Sequence, residues 1–374
     1  MKLKIAPPTT ALRTAAALLC IATASGCLAQ HSEAIPSDWV TDCVGRMQLS
    51  MPGQVEIAAY SAASLAKLFQ PTVENGKFEF PDGQSAGYSG SSYNASLRVT
   101  HPLSEAQAKN LLEQAEKREA RTRDFIWKRK QSLSDNAPRF EEIALTQRGG
   151  VAFRVGASYS LTVPVGSNLF HADVSYPGKD WSSVRGEFEA LAYGSAPRAI
   201  GDVPKTPGVC LPYVFIKDGG DARRYVATTY RLTKHPDVTI MLRDSKAEPI
   251  SSNTAPDKIT PEAQIEFFWR HAYQDPKRME SIWRFLHPIK LANVDGKASF
   301  VQLTRVDDQV DYGYLAVAQG DPNAKEDTPN LMLYVIRDAK NAKAKGIEPL
   351  GKDEFIKLAQ TIATSVRQRP ISSQ

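Results

Sequence analysis

Two cysteines, Cys43 and Cys210, stand 167 positions apart, and each opens a strand-like run. Thr41 to Pro52 reads TDCVGRMQLSMP and Pro207 to Asp218 reads PGVCLPYVFIKD. In the first run Met47, Leu49 and Met51 alternate with Gln48 and Ser50, the period of a half-buried strand. In the second, Val214, Phe215 and Ile216 form a β-rich run ended by Asp218-Gly219-Gly220, a turn signal. The two runs read as the opening strands of two successive domains.

Residues 1–29 read as an export signal and not as part of the fold. Lys2, Lys4 and Arg13 supply a positive start, and Ala15 to Ala24 is an apolar stretch of signal-peptide length. A membrane-spanning helix needs roughly 20 apolar residues, more than this stretch offers. Two endings stay open. Ala24-Ser25-Gly26-Cys27 reads as a lipobox with Cys27 as the lipidated residue, although Ala24 stands where leucine is usual. The other ending is ordinary cleavage after Ala29. Both put the mature chain outside the cytoplasm, where the one remaining cysteine pair, Cys43 and Cys210, is a disulfide candidate. The alternative is a pair of buried free thiols.

The remaining length suggests two domains. With 42% hydrophobic and 23% charged residues the chain reads as an ordinary folded protein. The formal charge of +5 includes Lys2, Lys4 and Arg13, so the mature chain carries only +2 (5 − 3). That is no footprint for nucleic acid. Contact with a membrane is expected only through an anchor at Cys27.

In the first half, 36–203, Val55–Ala59 and Leu65–Phe69 read as short strand or irregular pieces and Lys77–Phe80 as a strand. Ser104-Glu105-Ala106-Gln107 is a capping box that predicts a helix from Glu105 to about Ser132. Its aromatic residue Trp127 is expected to pack, its charged faces to be solvated. Phe140–Leu145 and Val151–Val155 predict a hairpin, Leu169–Ser175 a strand and Asp180–Tyr193 a helix. Pro197–Pro207 is linker-like and marks the boundary. In the second half, 208–374, strands are expected at Arg224–Leu232 and Asp237–Leu242. Thr260-Pro261 predicts the start of a helix to Tyr273. Pro276–His287 adds Ile282, Trp283, Phe285 and Leu286 to an aromatic cluster expected in the core. Ile289–Val294 and Ala298–Leu303 predict a hairpin turning at Asp295-Gly296. A helix over Phe355–Val366 closes the chain. The pattern predicts an α+β protein of two related domains, each an antiparallel sheet with helices packed on one face.

A search for chemistry finds little. His31, His101, His171, His235, His271 and His287 are scattered without a metal-ligand spacing. Gly87-Tyr88-Ser89-Gly90-Ser91 lacks the final glycine of a nucleophile elbow. Asp307, Asp308 and Asp311, before Tyr312, lack the ligand pattern of a calcium loop. No catalytic residue, metal or cofactor is expected. The polar loop Gly83–Asn94, with Tyr88, Tyr93 and Asn94, has the composition of an adaptable binding surface. It joins Asp307, Asp308, Asp311, Tyr312 and the polar turn Asp321–Asn330 as candidate partner contacts.

Cys43-Val44-Gly45-Arg46 and Gly208-Val209-Cys210-Leu211-Pro212, in an exported two-part chain, resemble one family. It comprises the two-domain immunity proteins that protect bacteria against lipase (phospholipase) effectors of the type VI secretion system. The resemblance implies a periplasmic immunity lipoprotein that binds its cognate lipase effector, occludes the substrate entrance or holds the cap shut, and is not an enzyme. The rival expectation is an envelope lipoprotein with a small-ligand or enzymatic site assembled in space, marked by a large apolar pocket with convergent polar groups.

Overall fold

The computed structural model describes residues 35–71, 76–87, 89–93, 95–132, 138–145, 148–176, 181–220, 223–249, 260–271 and 276–372. Cys27, Tyr88 and Asn94 lie outside the described residues, as do the side chains of Ser92 and Tyr93. Among the described residues no helix is long and apolar enough to cross a membrane.

The centre is an antiparallel sheet to which both halves of the chain contribute. From one edge its order is Arg278–Ser281, Val294–Thr304, Val310–Ala318, Asn330–Arg337, Val238–Ser245 and Arg224–Leu232. It continues through Gly90–Tyr93, Ser96–Val99, Asn168–Ser175, Ser158–Val165 and Val151–Val155 to Phe140–Glu142. The halves meet where Gly90–Tyr93 pairs with Arg224–Ala227 on one side and, through Ser92 and Ser96, with the next strand on the other.

Alternation along these strands sends two sets of side chains to opposite faces. One face, with Leu161, Phe170, Tyr230, Leu242, Phe300 and Leu333, belongs to a continuous core. Helices Trp181–Gly194 and Lys352–Ser365 complete this core, together with two small sheets built on the cysteine-bearing strands. Among the described residues, the helices on the other face cover its two ends. Ala62–Leu68 (α1) and Glu105–Ser132 (α2) set Leu65, Leu111 and Ala115 against Val151, Phe153 and Leu169. Pro261–His271 sets Ile265 and Trp269 against Met241, Leu315 and Met332.

Local signals explain the helix starts. Gln107 N–H donates to Ser104 Oγ at 3.3 Å and Ser104 N–H to Gln107 Oε1 at 2.9 Å, a reciprocal capping box. Ala263 N–H donates to Thr260 Oγ1 at 3.1 Å, with Pro261 in the first turn.

Four expectations are corrected. Leu65–Phe69 is not strand: Ser61 caps α1 by accepting from Ser64 N–H, and an alanine-rich turn propagates it. The 83–94 loop is partly sheet, because the backbone of Gly90–Tyr93 pairs with Arg224–Ala227 and, at Ser92, with Ser96. The second-half hairpin turns at Ala292-Asn293, both left-handed (φ 48° and 68°), and not at Asp295-Gly296. Asp295 instead reaches Lys290 across the ladder at 2.6 Å, and Gly296 lies where a Cβ would sit 2.2 Å from Val317 O. The aromatic cluster does not all enter the core: Phe285 is 71% and Phe267 46% exposed, and Trp127, expected to pack, is 64% exposed.

Candidate functional site

Two polar assemblies stand out, one sealed and one open. The sealed one gathers the glycine–cysteine motifs. Cys43 and Cys210 are disulfide-bonded. Gly45 and Cys210 exchange backbone hydrogen bonds of 2.8 Å in both directions, so the two motifs form a single bridge. Gly45 is left-handed (φ 59°), and a Cβ there would meet the Asp244 carboxylate at 2.1 Å. Asp244 takes up that space to accept from Arg46 N–H at 2.7 Å and Arg224 Nε at 2.7 Å. Arg46 also reaches Asp218 at 2.7 Å, and Arg224 reaches Asp327 at 2.7 Å. Nearby, fully buried Asp42 accepts from Arg198 Nη1 at 2.6 Å, Tyr230 Oη at 2.7 Å and Gly201 N–H at 3.1 Å. Burial, reinforced by the Asp42 charge, pushes the Tyr230 phenol well above its ordinary value, so it stays a proton donor. The assembly clasps the first strands to the second half.

The open assembly lies on the other face of the sheet, between α2 and the start of Arg224–Leu232. Cross-strand register, running through the backbone of Ser92, aligns one rung of side chains: Phe153, Ser160, Asp173, Ser96, Tyr225, Ser245 and Asn330. The middle of this rung is polar, so a helix laid over it would gain little by burying it. A trough of about 1130 Å³ remains there, partly open to solvent. Arg118 of α2 crosses its floor to Ser160 at 3.0 Å and Asp173 at 3.3 Å. Phe125, 60% exposed, stands on one lip, and Tyr225 on the other beneath the Arg243 guanidinium.

Beside the floor, Thr162 Oγ1 lies 2.9 Å from His171 Nδ1, and His171 Nε2 lies 3.0 Å from Asp173 Oδ2. That order of contacts resembles a hydrolase relay. Thr162 and His171 are buried, however, with the Phe69 ring against His171, so a substrate carbonyl has no approach to the hydroxyl. Burial pushes the imidazole below its ordinary value, against the pull of Asp173. Burial opposes the Asp173 charge, but His171, Arg118 and Arg98 together hold this carboxyl well below the usual carboxylate range. The arrangement is a brace between sheet and helix. Among the described residues no group of three or more His, Cys, Asp or Glu side chains could hold a metal ion.

The structure separates the aspartates predicted as contacts. Asp307 and Asp308 are exposed at a hairpin tip, with Asp308 paired to Lys277. Asp311 is wholly buried and accepts from Ala339 N–H at 2.7 Å and Arg305 at 2.8 Å, so it cannot touch a partner. Tyr312 is held under Arg337 and beside Phe355. Asp327, within the predicted polar turn Asp321–Asn330, is engaged by the clasp. Sequence reasoning missed the trough: its lining comes from six separate stretches, and only strand register brings them together.

Comparison with known proteins gives a consistent assignment. Residues 202–371 match the family described as the Tle cognate immunity protein 4 C-terminal domain. No curated protein matches the chain. Among solved structures, a chain in the crystal structure of the Tle4–Tli4 complex superposes with a TM-score of 0.56 at 16% identity, covering 90% of this chain and 99% of that one. The type VI secretion immunity protein TplEi from Pseudomonas aeruginosa, complexed with "L" peptide, gives 0.53 at 17% identity, covering 89% and 99%. Its apo form gives 0.52 at 17%, covering 90% and 99%. Residues 202–371 thus match the Tle cognate immunity protein 4 C-terminal domain, and about nine-tenths of the chain has the fold of the solved type VI secretion immunity proteins.

Proposed function

We propose that this chain is a periplasmic immunity protein that binds a cognate type VI secretion lipase effector and neutralises it by occlusion, without catalysis of its own. The family match of residues 202–371 carries this reading. A fold shared with immunity proteins over nine-tenths of the chain supports it. The buried Cys43–Cys210 disulfide suits an oxidising compartment. The export segment, with Cys27 as lipid anchor, and the division into 36–203 and 208–374 belong to the same proposal.

The contact surface we propose is the trough with its lips, Phe125 and Tyr225, joined by the exposed hairpin tip at Asp307 and Asp308; Tyr88, Tyr93 and Asn94 are kept as proposed contacts from their sequence alone. Aromatic side chains flanked by arginines are the usual anchors of such interfaces. An open trough floored by serines suits a segment of a protein better than an enclosed small molecule.

The test is co-purification of the chain with the lipase encoded beside it, followed by a phospholipase assay on the complex. A stoichiometric complex without lipase activity is expected. No complex and undiminished activity would overturn the proposal.

A further inference from the structure

The large sheet has two ends, and they are not equally protected. At one end Phe140–Glu142 carries two adjacent glutamates, so a second copy laid beside it would bring like charges together. At the other end the outer strand runs from Arg278 through a bend to Leu291. Its later part is blunted by Pro288, which has no amide hydrogen, and by the exposed Lys290. Its first part, Arg278-Met279-Glu280-Ser281, has neither device and, among the described residues, pairs on one side only, with Val301–Thr304.

Backbone direction makes this edge a template. Ile282 N–H donates inward to Phe300 O at 2.9 Å. Antiparallel ladders alternate residue by residue, so Glu280 and Arg278 also turn inward, and Met279 and Ser281 present their N–H and C=O groups outward. Arg278 and Glu280 share one face of the strand, where they pair with each other. Met279, 44% exposed, occupies the other face, alongside Leu303.

The sequence Arg-Met-Glu is self-complementary about its centre. We propose that two copies of this protein pair through this edge as a two-fold dimer. The strands run antiparallel with Met279 opposite Met279, and each Arg278 faces the other copy's Glu280. In that register the outward groups of the two methionines exchange both backbone hydrogen bonds. The flanking pairs fall at the closer, non-hydrogen-bonded positions, where opposite charges interact best. The contact is isologous, so it closes on itself and uses up this edge in both copies.

The test is sedimentation velocity over a concentration series, using the full chain expressed with its own leader, purified from the cell envelope and free of effector. A reversible monomer–dimer equilibrium is expected. Arg278→Glu sets glutamate against Glu280 twice and should weaken the dimer at least about tenfold. Combining it with Glu280→Arg restores both pairs and should recover the wild-type constant. A chain that stays monomeric, a dimer indifferent to Arg278→Glu, or a double variant no tighter than the single one would each overturn the proposal. None of these outcomes bears on effector neutralisation, which is measured with the lipase present.

Discussion

Asp42 and Asp173 are both held by arginines, one in the sealed clasp and one in the open trough. Asp42 lies 2.6 Å from Arg198 with neither side chain more than 1% exposed, and Tyr230 closes the remaining side. Asp173 lies 3.3 Å from Arg118 with about a third of each side chain exposed. The partner types are the same, but the surroundings differ. Around Asp42, strands from both halves and the 198–202 segment close over the pair and exclude water. Around Asp173 the polar rung leaves the sheet uncovered. A charge that must be satisfied internally contributes to fold specificity, whereas a half-exposed one remains available to a partner.

This contrast can be broken by experiment. Asp42→Ala strands Arg198 and Tyr230 in the interior and should cost about 3–5 kcal/mol in urea unfolding. Asp173→Ala, with water at hand, should cost about 1–2 kcal/mol. Equal losses would erase the distinction. Replacing Cys43 and Cys210 together by serine should cost about 2–5 kcal/mol, again on the clasp side. Gly45→Ala forces a side chain into the Asp244 carboxylate in a left-handed backbone and should cost about 1–3 kcal/mol. Gly53→Ala, equally left-handed but with nothing closer than 3.9 Å, should cost less.

Acid should loosen the brace beside the trough. The folded protein holds His171 below its ordinary value, so the unfolded chain binds the extra proton first. The stability this group contributes is complete above about pH 6.5 and declines as pH falls from there. Asp173, held low, adds a further loss of the same sign below about pH 4. His171→Gln should flatten the upper limb and leave the lower one. A wild-type midpoint unchanged between pH 7 and 5 would show that His171 does not act this way. The smallest expected effect on stability is that of Phe125→Ala or Tyr225→Ala, within about 0.5 kcal/mol. If the trough receives the effector, the same changes should weaken the complex by about 2 kcal/mol or more, read by titration calorimetry.

Local signals were legible where one short segment holds both halves of an interaction. Ser104 and Gln107 mark the start of α2, Thr260 and Pro261 the start of the helix Pro261–His271, and the alternation of Met47, Leu49 and Met51 marks a strand. The Asp295-Gly296 turn was misplaced by three residues because glycine also serves close strand approach, which a single strand does not reveal. The polar composition of 83–94 reads as a loop for the same reason: Gly90–Tyr93 becomes strand through backbone pairing with its neighbours, which its own residues do not announce.

The sequence by itself determined the types of most elements, the α+β class, the cysteine-bearing opening strands and the family resemblance, because each rests on neighbouring residues or a short motif. Tertiary structure alone decided that Gly45 must be glycine, that Asp311 is buried while Asp307 and Asp308 are not, and that Ser96, Ser160, Asp173 and Tyr225 line one trough. These are properties of register and of what lies across the sheet. A shift of one residue in strand pairing would send each of these side chains to the opposite face without changing a letter of the sequence.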